Sequence, residues 1–190
     1  MKNKVALLVV VAIAMFSGSL FAAQVEVRTG YFKFNDANKY GYNGGLLLGA
    51  GFVSDYISDS KYQLTGKVDY YSDKQTAGQY KYEIDRTSFI FGLRYSFERE
   101  PVCIYAGAGI GLVMVNEDIY SNIFRMNTSW NGPGQIMYIG AEKDIGRQVV
   151  AFFEIEKSYF NADAHDLGGL SLSAGVRFLV PIEDEIKLDK

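Results

Sequence analysis

Between positions 148 and 178 the chain alternates strictly. Val149, Ala151, Phe153 and Ile155 fall on one side while Glu154, Glu156 and Ser158 fall on the other. After a polar break the pattern returns, with Leu170, Leu172, Ala174, Val176 and Phe178 opposed to Ser171, Ser173, Gly175 and Arg177. A period of two is the signature of strands, so this stretch predicts a β-hairpin. A soluble half-buried strand turns its apolar face to a protein core and its charge-rich face to water. A membrane barrel reverses this, with apolar residues on lipid and polar ones inside. Here one face is almost unbroken apolar and the other mixes Ser and Gly with single Glu and Arg residues, which suits a cramped polar interior.

The same pattern predicts six earlier strands. Val25, Val27, Thr29 and Tyr31 oppose Glu26, Arg28 and Gly30; Leu46, Leu48, Ala50 and Phe52 oppose Leu47, Gly49, Gly51 and Val53. Leu64, Gly66, Val68 and Tyr70 oppose Thr65, Lys67, Asp69 and Tyr71. Phe89, Phe91, Leu93, Tyr95 and Phe97 oppose Ser88, Gly92, Arg94 and Ser96, the clearest lipid-facing pattern in the chain. Val102 to Met114 continues it by alternate residues, with Gly107, Gly109 and Gly111 opposite, and Met137, Ile139 and Ala141 oppose Tyr138, Gly140 and Glu142. Glycines spaced by two with no following helix do not make a phosphate loop; they leave room for long inner side chains.

Eight strands, each about long enough to cross a bilayer at the usual tilt, are joined by connections of alternating length. Residues 35–43, 72–83, 116–133 and 161–169 read as long polar loops; 54–61, 99–101 and 145–147 read as shorter turns. Long loops outside and short turns on the periplasmic side are the asymmetry of outer-membrane barrels. Tyr70 and Tyr159 at one end, and Phe52, Tyr95, Phe97 and Phe178 at the other, would form the two aromatic girdles. The expectation is an all-β, eight-stranded antiparallel up-and-down transmembrane β-barrel over residues 24–180.

Composition sharpens this picture. Among 190 residues, 14 Tyr and 20 Gly are high for an ordinary soluble domain. Residues 1–23 carry Lys2 and Lys4, an apolar run from Val5 to Phe16 too short for a spanning helix, and small residues up to Ala23. They read as a signal peptide cleaved near Ala23, which directs the chain to the bacterial outer membrane and takes the formal charge from −3 to −5. No basic surface remains to attract nucleic acid. Cys103 is the single cysteine, so there is no disulfide framework and it reads as a small strand residue. The sequon Asn127-Thr128-Ser129 carries no weight in such a chain.

The strand plan, together with Tyr105-Ala106-Gly107-Ala108-Gly109-Ile110-Gly111 and Leu172-Ser173-Ala174-Gly175-Val176-Arg177-Phe178, resembles the small bacterial outer-membrane barrels of the OmpA transmembrane-domain and OmpX type. Such barrels often end on an aromatic residue, whereas Phe178 is followed by a short charged tail, residues 181–190, expected in the periplasm and too short for a peptidoglycan-binding domain.

The inward set holds Glu26, Arg28, Lys67, Asp69, Arg94, Glu142, Glu154, Glu156 and Arg177. In an eight-stranded barrel side chains fill the interior, so these charges are expected to pair and plug it, with Arg177 held by Glu154 or Glu156 on the neighbouring strand. A carboxylate pair at Glu154 and Glu156 for acid–base work or metal binding is the weaker alternative. His165, near Asp163 and Asp166, with Ser158 or Ser171 as nucleophile, would make a lipid-modifying enzyme, but no close His-x-Ser arrangement supports it. A third reading is a soluble lipocalin-like barrel around an apolar ligand. The reading adopted is non-enzymatic, with no catalytic residue, cofactor or metal. Its partners are outer-membrane lipid and extracellular molecules met by the four long loops, and the barrel is expected to be a monomer.

Overall fold

The computed structural model describes residues 24–35, 44–57, 60–97, 101–162 and 165–179. Residues 1–23, expected to be a signal peptide, the tail 181–190 and most of the first expected long loop lie outside the described residues. Among the described residues ten strands run in chain order: β1 Gln24–Phe34, β2 Gly45–Tyr56, β3 Tyr62–Ala77, β4 Tyr80–Phe97, β5 Cys103–Tyr120, β6 Arg125–Gly146, β7 Val149–Tyr159, β8 Asn161–Ala162, β9 His165–Asp166 and β10 Gly169–Leu179. Eight close into a barrel in the order β1-β10-β7-β6-β5-β4-β3-β2, every pair antiparallel, while β8 and β9 form a small separate hairpin. Closure leaves no sheet edge along the barrel wall, so the backbone groups that lipid cannot satisfy are all paired there.

The two faces divide as the alternation predicts. Phe91, Leu93, Ile104, Ile110, Phe153 and Leu172 are exposed on the outer face, with Phe89 and Val176 half-exposed beside them. Ile110 shows 69% of its surface and Phe91 59%, values that make sense for side chains bathed in hydrocarbon and not for a core. This excludes the lipocalin arrangement, which keeps its apolar residues inside. Cys103 sits half-buried at the start of β5, its thiol 3.8 Å from the Phe97 carbonyl.

The inner glycines act as recesses. Tyr105 pairs with Gly140 and Tyr138 with Gly107 across β5 and β6, so each ring lies over a residue without a side chain. A Cβ built at Gly140 would stand 2.3 Å from the Tyr105 ring, and Tyr105 is fully buried. Its hydroxyl accepts from Arg177 and donates to Glu154, so the ring cannot swing clear. Gly140→Val is therefore expected to cost about 2 kcal/mol by overpacking, read as a lower urea midpoint of the refolded barrel in lipid vesicles; an unchanged midpoint would show that the ring relocates freely.

Two connections expected to be long loops are instead continuous ladders. β3 and β4 pair down to Ala77 opposite Tyr80, turning through Gly78 and Gln79 with Gly78 at φ 62°, a left-handed conformation that glycine adopts at no cost. β5 and β6 pair as far as Tyr120 opposite Arg125. Beyond the lipid neither face of these strands meets hydrocarbon, so the continuous apolar face ends while the ladder persists. Polar cross-strand pairs replace apolar ones: Lys74 to Glu83 at 2.7 Å, Arg125 to Asp118 at 3.3 Å and Ser129 to Asn116 at 2.8 Å. The hydrogen bond that the Lys74 ammonium donates to Glu83 holds its pKa above the ordinary lysine value. The last long loop also departs from expectation: through β8 and β9 it folds back, the Leu167 amide donating to the Phe160 carbonyl, and inserts both side chains into the barrel mouth.

Candidate functional site

The interior has two storeys. Toward the short turns, Arg177 on β10 donates from Nε to Glu26 on β1 at 2.8 Å, from Nη1 to Glu142 on β6, and from Nη2 to the Tyr105 hydroxyl at 3.1 Å. Arg94 on β4 grips the same Glu142 with both terminal nitrogens, at 2.9 and 3.2 Å, and donates from Nε to Gln63 at 2.8 Å. Both guanidinium groups also lie over aromatic faces, Arg94 4.8 Å from the Tyr105 ring and Arg177 4.2 Å from that of Phe152.

At mid-depth Arg28 makes a forked contact to Asp69, with Nε at 2.8 Å from Oδ1 and Nη2 on Oδ2, and donates from Nη1 to Glu154 at 2.8 Å. Gly49 lets this happen: a Cβ there would stand 2.2 Å from Asp69 Oδ1 and 2.8 Å from Arg28 Nε. Lys67 donates to Glu154 and to Glu156 at 3.4 Å, its ammonium 3.5 Å above the Tyr138 ring. The Tyr105 hydroxyl, donating to Glu154 at 3.3 Å, joins this group to the one below.

All nine interior residues expected from the sequence, drawn from six strands, thus fall in one hydrogen-bonded network joined through Tyr105 on a seventh. Three of its carboxylates, Glu26, Asp69 and Glu154, are almost wholly buried, as are Lys67, Arg94 and Arg177. The pairing differs in one respect from expectation: Arg177 reaches Glu26 and Glu142, while Glu154 and Glu156 belong to Arg28 and Lys67. In register Arg177 stands opposite Val150 on β7, too far along the strand from Glu154, and opposite Glu26 on β1. With both oxygens engaged by cations and a tyrosine, Glu154 is a structural anion and not a free base.

Sequence reasoning missed two things. Arg86 on β4, 2% exposed, points inward two positions before Ser88, with its guanidinium 4.7 Å from the Phe32 ring. The nine network residues carry four positive and five negative charges; Arg86 evens the formal count, but among the described residues no ion pair joins it to them and its Nε and Nη2 find no hydrogen-bond partner. The second is an apolar plug toward the loops, made of Phe32, Phe34, Leu47, Tyr71, Ile84, Val113, Val115, Phe160 and Leu167. Phe32, Phe34 and Tyr71 meet edge to face at 5.0 to 5.4 Å. The signal was present as apolar residues on the inner parity of β1, β3, β4 and β5, at their loop ends only.

The residues of the enzymatic alternative lie apart in role. Ser158 Oγ accepts from the Gly169 amide at 3.0 Å, Ser171 is buried inside the barrel, and the His165 ring packs against Trp130 at 5.8 Å on the rim. Among the described residues no group of three or more His, Cys, Asp or Glu is placed to hold a metal ion.

No protein-family model and no curated protein matches the sequence. Solved structures do. Neisserial surface protein A superposes with a TM-score of 0.61 at 15% identity, over 83% of this chain and 95% of that one. A major outer membrane protein from Thermus thermophilus gives 0.61 at 11%, over 83% and 99%. Ail, the attachment invasion locus protein of Yersinia pestis, gives 0.54 at 14%, over 83% and 99%. The fold is that of the small eight-stranded outer-membrane barrels.

Proposed function

We propose that the chain is a non-enzymatic integral protein of the bacterial outer membrane, with a closed interior and a role exercised by its outer surface and its protruding strands. The observation that carries this reading is the inversion of the barrel: the apolar side chains stand outside, and the lumen is filled from both ends. An apolar outer band is stable only in hydrocarbon. A lumen occupied by paired charges below and aromatic rings above supports a closed interior over a pore. Ser158 is held by backbone and Glu154 by three donors, which weighs against the enzymatic alternative at these two residues.

Among the described residues, the surfaces left for partners are the β3–β4 and β5–β6 extensions that contain 72–83 and 116–133, and the described part of 161–169. The β5–β6 tip presents Ile123 and Phe124 beside Asp118 and Arg125, around a hollow of about 500 Å³. The barrel needs no partner subunit to close, which supports a monomer.

Two measurements test the reading. Refolded into planar bilayers, the protein is expected to give no large, stable single-channel currents, because a conducting path would require an ion to displace the Arg28–Asp69–Glu154–Lys67 group. Sustained unitary currents would contradict the closed interior. Expression in a lipid A-producing host is expected to leave the lipid A profile unaltered, in the wild type and in His165→Ala alike; a new lipid A species lost in that variant would establish the enzymatic alternative.

A further inference from the structure

The outer faces of β1, β10 and β7, three neighbouring strands, carry no carboxylate. They carry two lysines, Lys33 and Lys157, and the register sets them in one row: Lys33 opposite Leu170, and Leu170 opposite Lys157. Their backbones are two strand spacings, about 10 Å, apart. The row below is Tyr31, Leu172 and Ile155, all exposed, and the rows beneath, apolar but for Thr29, run to Val25 opposite Phe178.

The depth of this row follows from the geometry of the strand. Lys33 lies eight residues beyond Val25; at about 3.3 Å per residue and a tilt near 40°, that is about 20 Å along the membrane normal. Phe178 marks the short-turn girdle, so the lysine row stands at the opposite boundary, where hydrocarbon gives way to headgroups. Tyr159, two residues beyond Lys157, marks the same level.

Lysine at such a boundary has an obvious lesser role, extending its amine out of the lipid. Three features exceed it. Neither lysine forms an ion pair among the described residues. The Lys157 ammonium crosses β10 to donate to Oδ1 of Asn35, the residue that follows β1, and so leans toward the strand that carries Lys33. Asn35 is itself fixed by its side-chain amide donating to Asp166 at 2.8 Å and by its backbone amide donating to the Gly168 carbonyl at 3.0 Å. Asp166 Oδ1 in turn accepts from the Gly168 amide at 3.0 Å, so this acid is committed to the loop.

We propose that Lys33 and Lys157 form a clamp for the phosphate of an outer-leaflet lipid, with Leu170, Leu172 and Tyr31 as the bed for its acyl chain. Two ammonium groups over one apolar row match an amphiphile whose anionic head sits directly above its chain, and a phosphate offers oxygens enough for both. The inference rests on membrane insertion by the reading given above.

The test uses the full chain refolded into phosphatidylcholine vesicles, with insertion read independently from the heat-dependent shift in gel mobility. Spin-labelled phosphatidate and spin-labelled phosphatidylcholine then report relative association at the protein surface. The wild type is expected to prefer phosphatidate by about fivefold for each lysine engaged. Lys33→Gln and Lys157→Gln each lose about that factor, and the double variant loses at least about tenfold. Lys33→Arg with Lys157→Arg keeps the preference, and Lys74→Gln on the solvated extension leaves it unchanged. An undiminished preference in the double Gln variant overturns the site. Displacement of phosphatidate by inorganic phosphate at equal concentration overturns the assignment to lipid. Failure of the wild type to insert overturns the membrane reading, and this site with it.

Discussion

Arg177→Met is expected to lower the unfolding free energy of the barrel in lipid vesicles by about 3 kcal/mol, the lower end of the range for breaking a buried ion pair. The substitution keeps most of the side-chain volume and its packing on Phe152, so what it removes is charge and five donors. Glu26, 2% exposed, is then stranded without its cation, and Glu142 keeps only Arg94. The tyrosine bridge to the upper group also loses a donor. A double-mutant cycle locates the effect: Arg177→Met with Glu26→Gln should show about 1 to 3 kcal/mol of coupling, because the second change neutralises the acid the first exposes. Arg177→Met with Glu154→Gln should be close to additive, since the two touch only through Tyr105. Strong coupling in the Glu154 cycle and none in the Glu26 cycle would reverse the pairing seen in the structure.

That contrast marks how far the sequence alone could reach. The strand count and the outward or inward sense of each residue were legible, because lipid and lumen impose opposite polarities on alternate positions. Nothing in the alternation of β7 and β10, however, states which strand closes the barrel against β10 at the height of Arg177. The partner Glu26 comes from the far end of the chain, through a β1–β10 register that no local pattern encodes. The extensions of β3 to β6 were hidden for another reason. Above the membrane neither face of a strand meets lipid, so Ser72 to Thr76 and Asn127 to Asn131 carry no continuous apolar face although every residue is paired. Arg86 was overlooked although its parity placed it inside, because a strand read only from its apolar side ends where Phe89 does.

The same parity, followed further, exposes the plug, and Phe32→Ala is expected to have the largest effect of any single truncation in it. Phe32 is 1% exposed and lies at the centre of the loop-side cluster, edge-on to Phe34 and Tyr71 at 5.0 Å and beneath the Arg86 guanidinium. Truncation removes those ring contacts and leaves a hole bordered by Arg86, Tyr71 and Leu47. Buried Phe→Ala substitutions cost about 3 to 5 kcal/mol where the surroundings cannot collapse. β1 is hydrogen-bonded on both sides here, to Gly45 on β2 and Ser171 on β10, so the backbone cannot move in to fill the space. The loss should therefore be about 3 kcal/mol or more. Phe32→Leu, which retains apolar bulk but not the ring face toward Arg86, should cost about 1 kcal/mol, the usual worth of a cation–π contact with little cavity. Urea unfolding of both variants in the same vesicles separates the two contributions. A Phe32→Ala barrel within 1 kcal/mol of the parent would mean that water enters the mouth freely and that the charged network below closes the interior unaided.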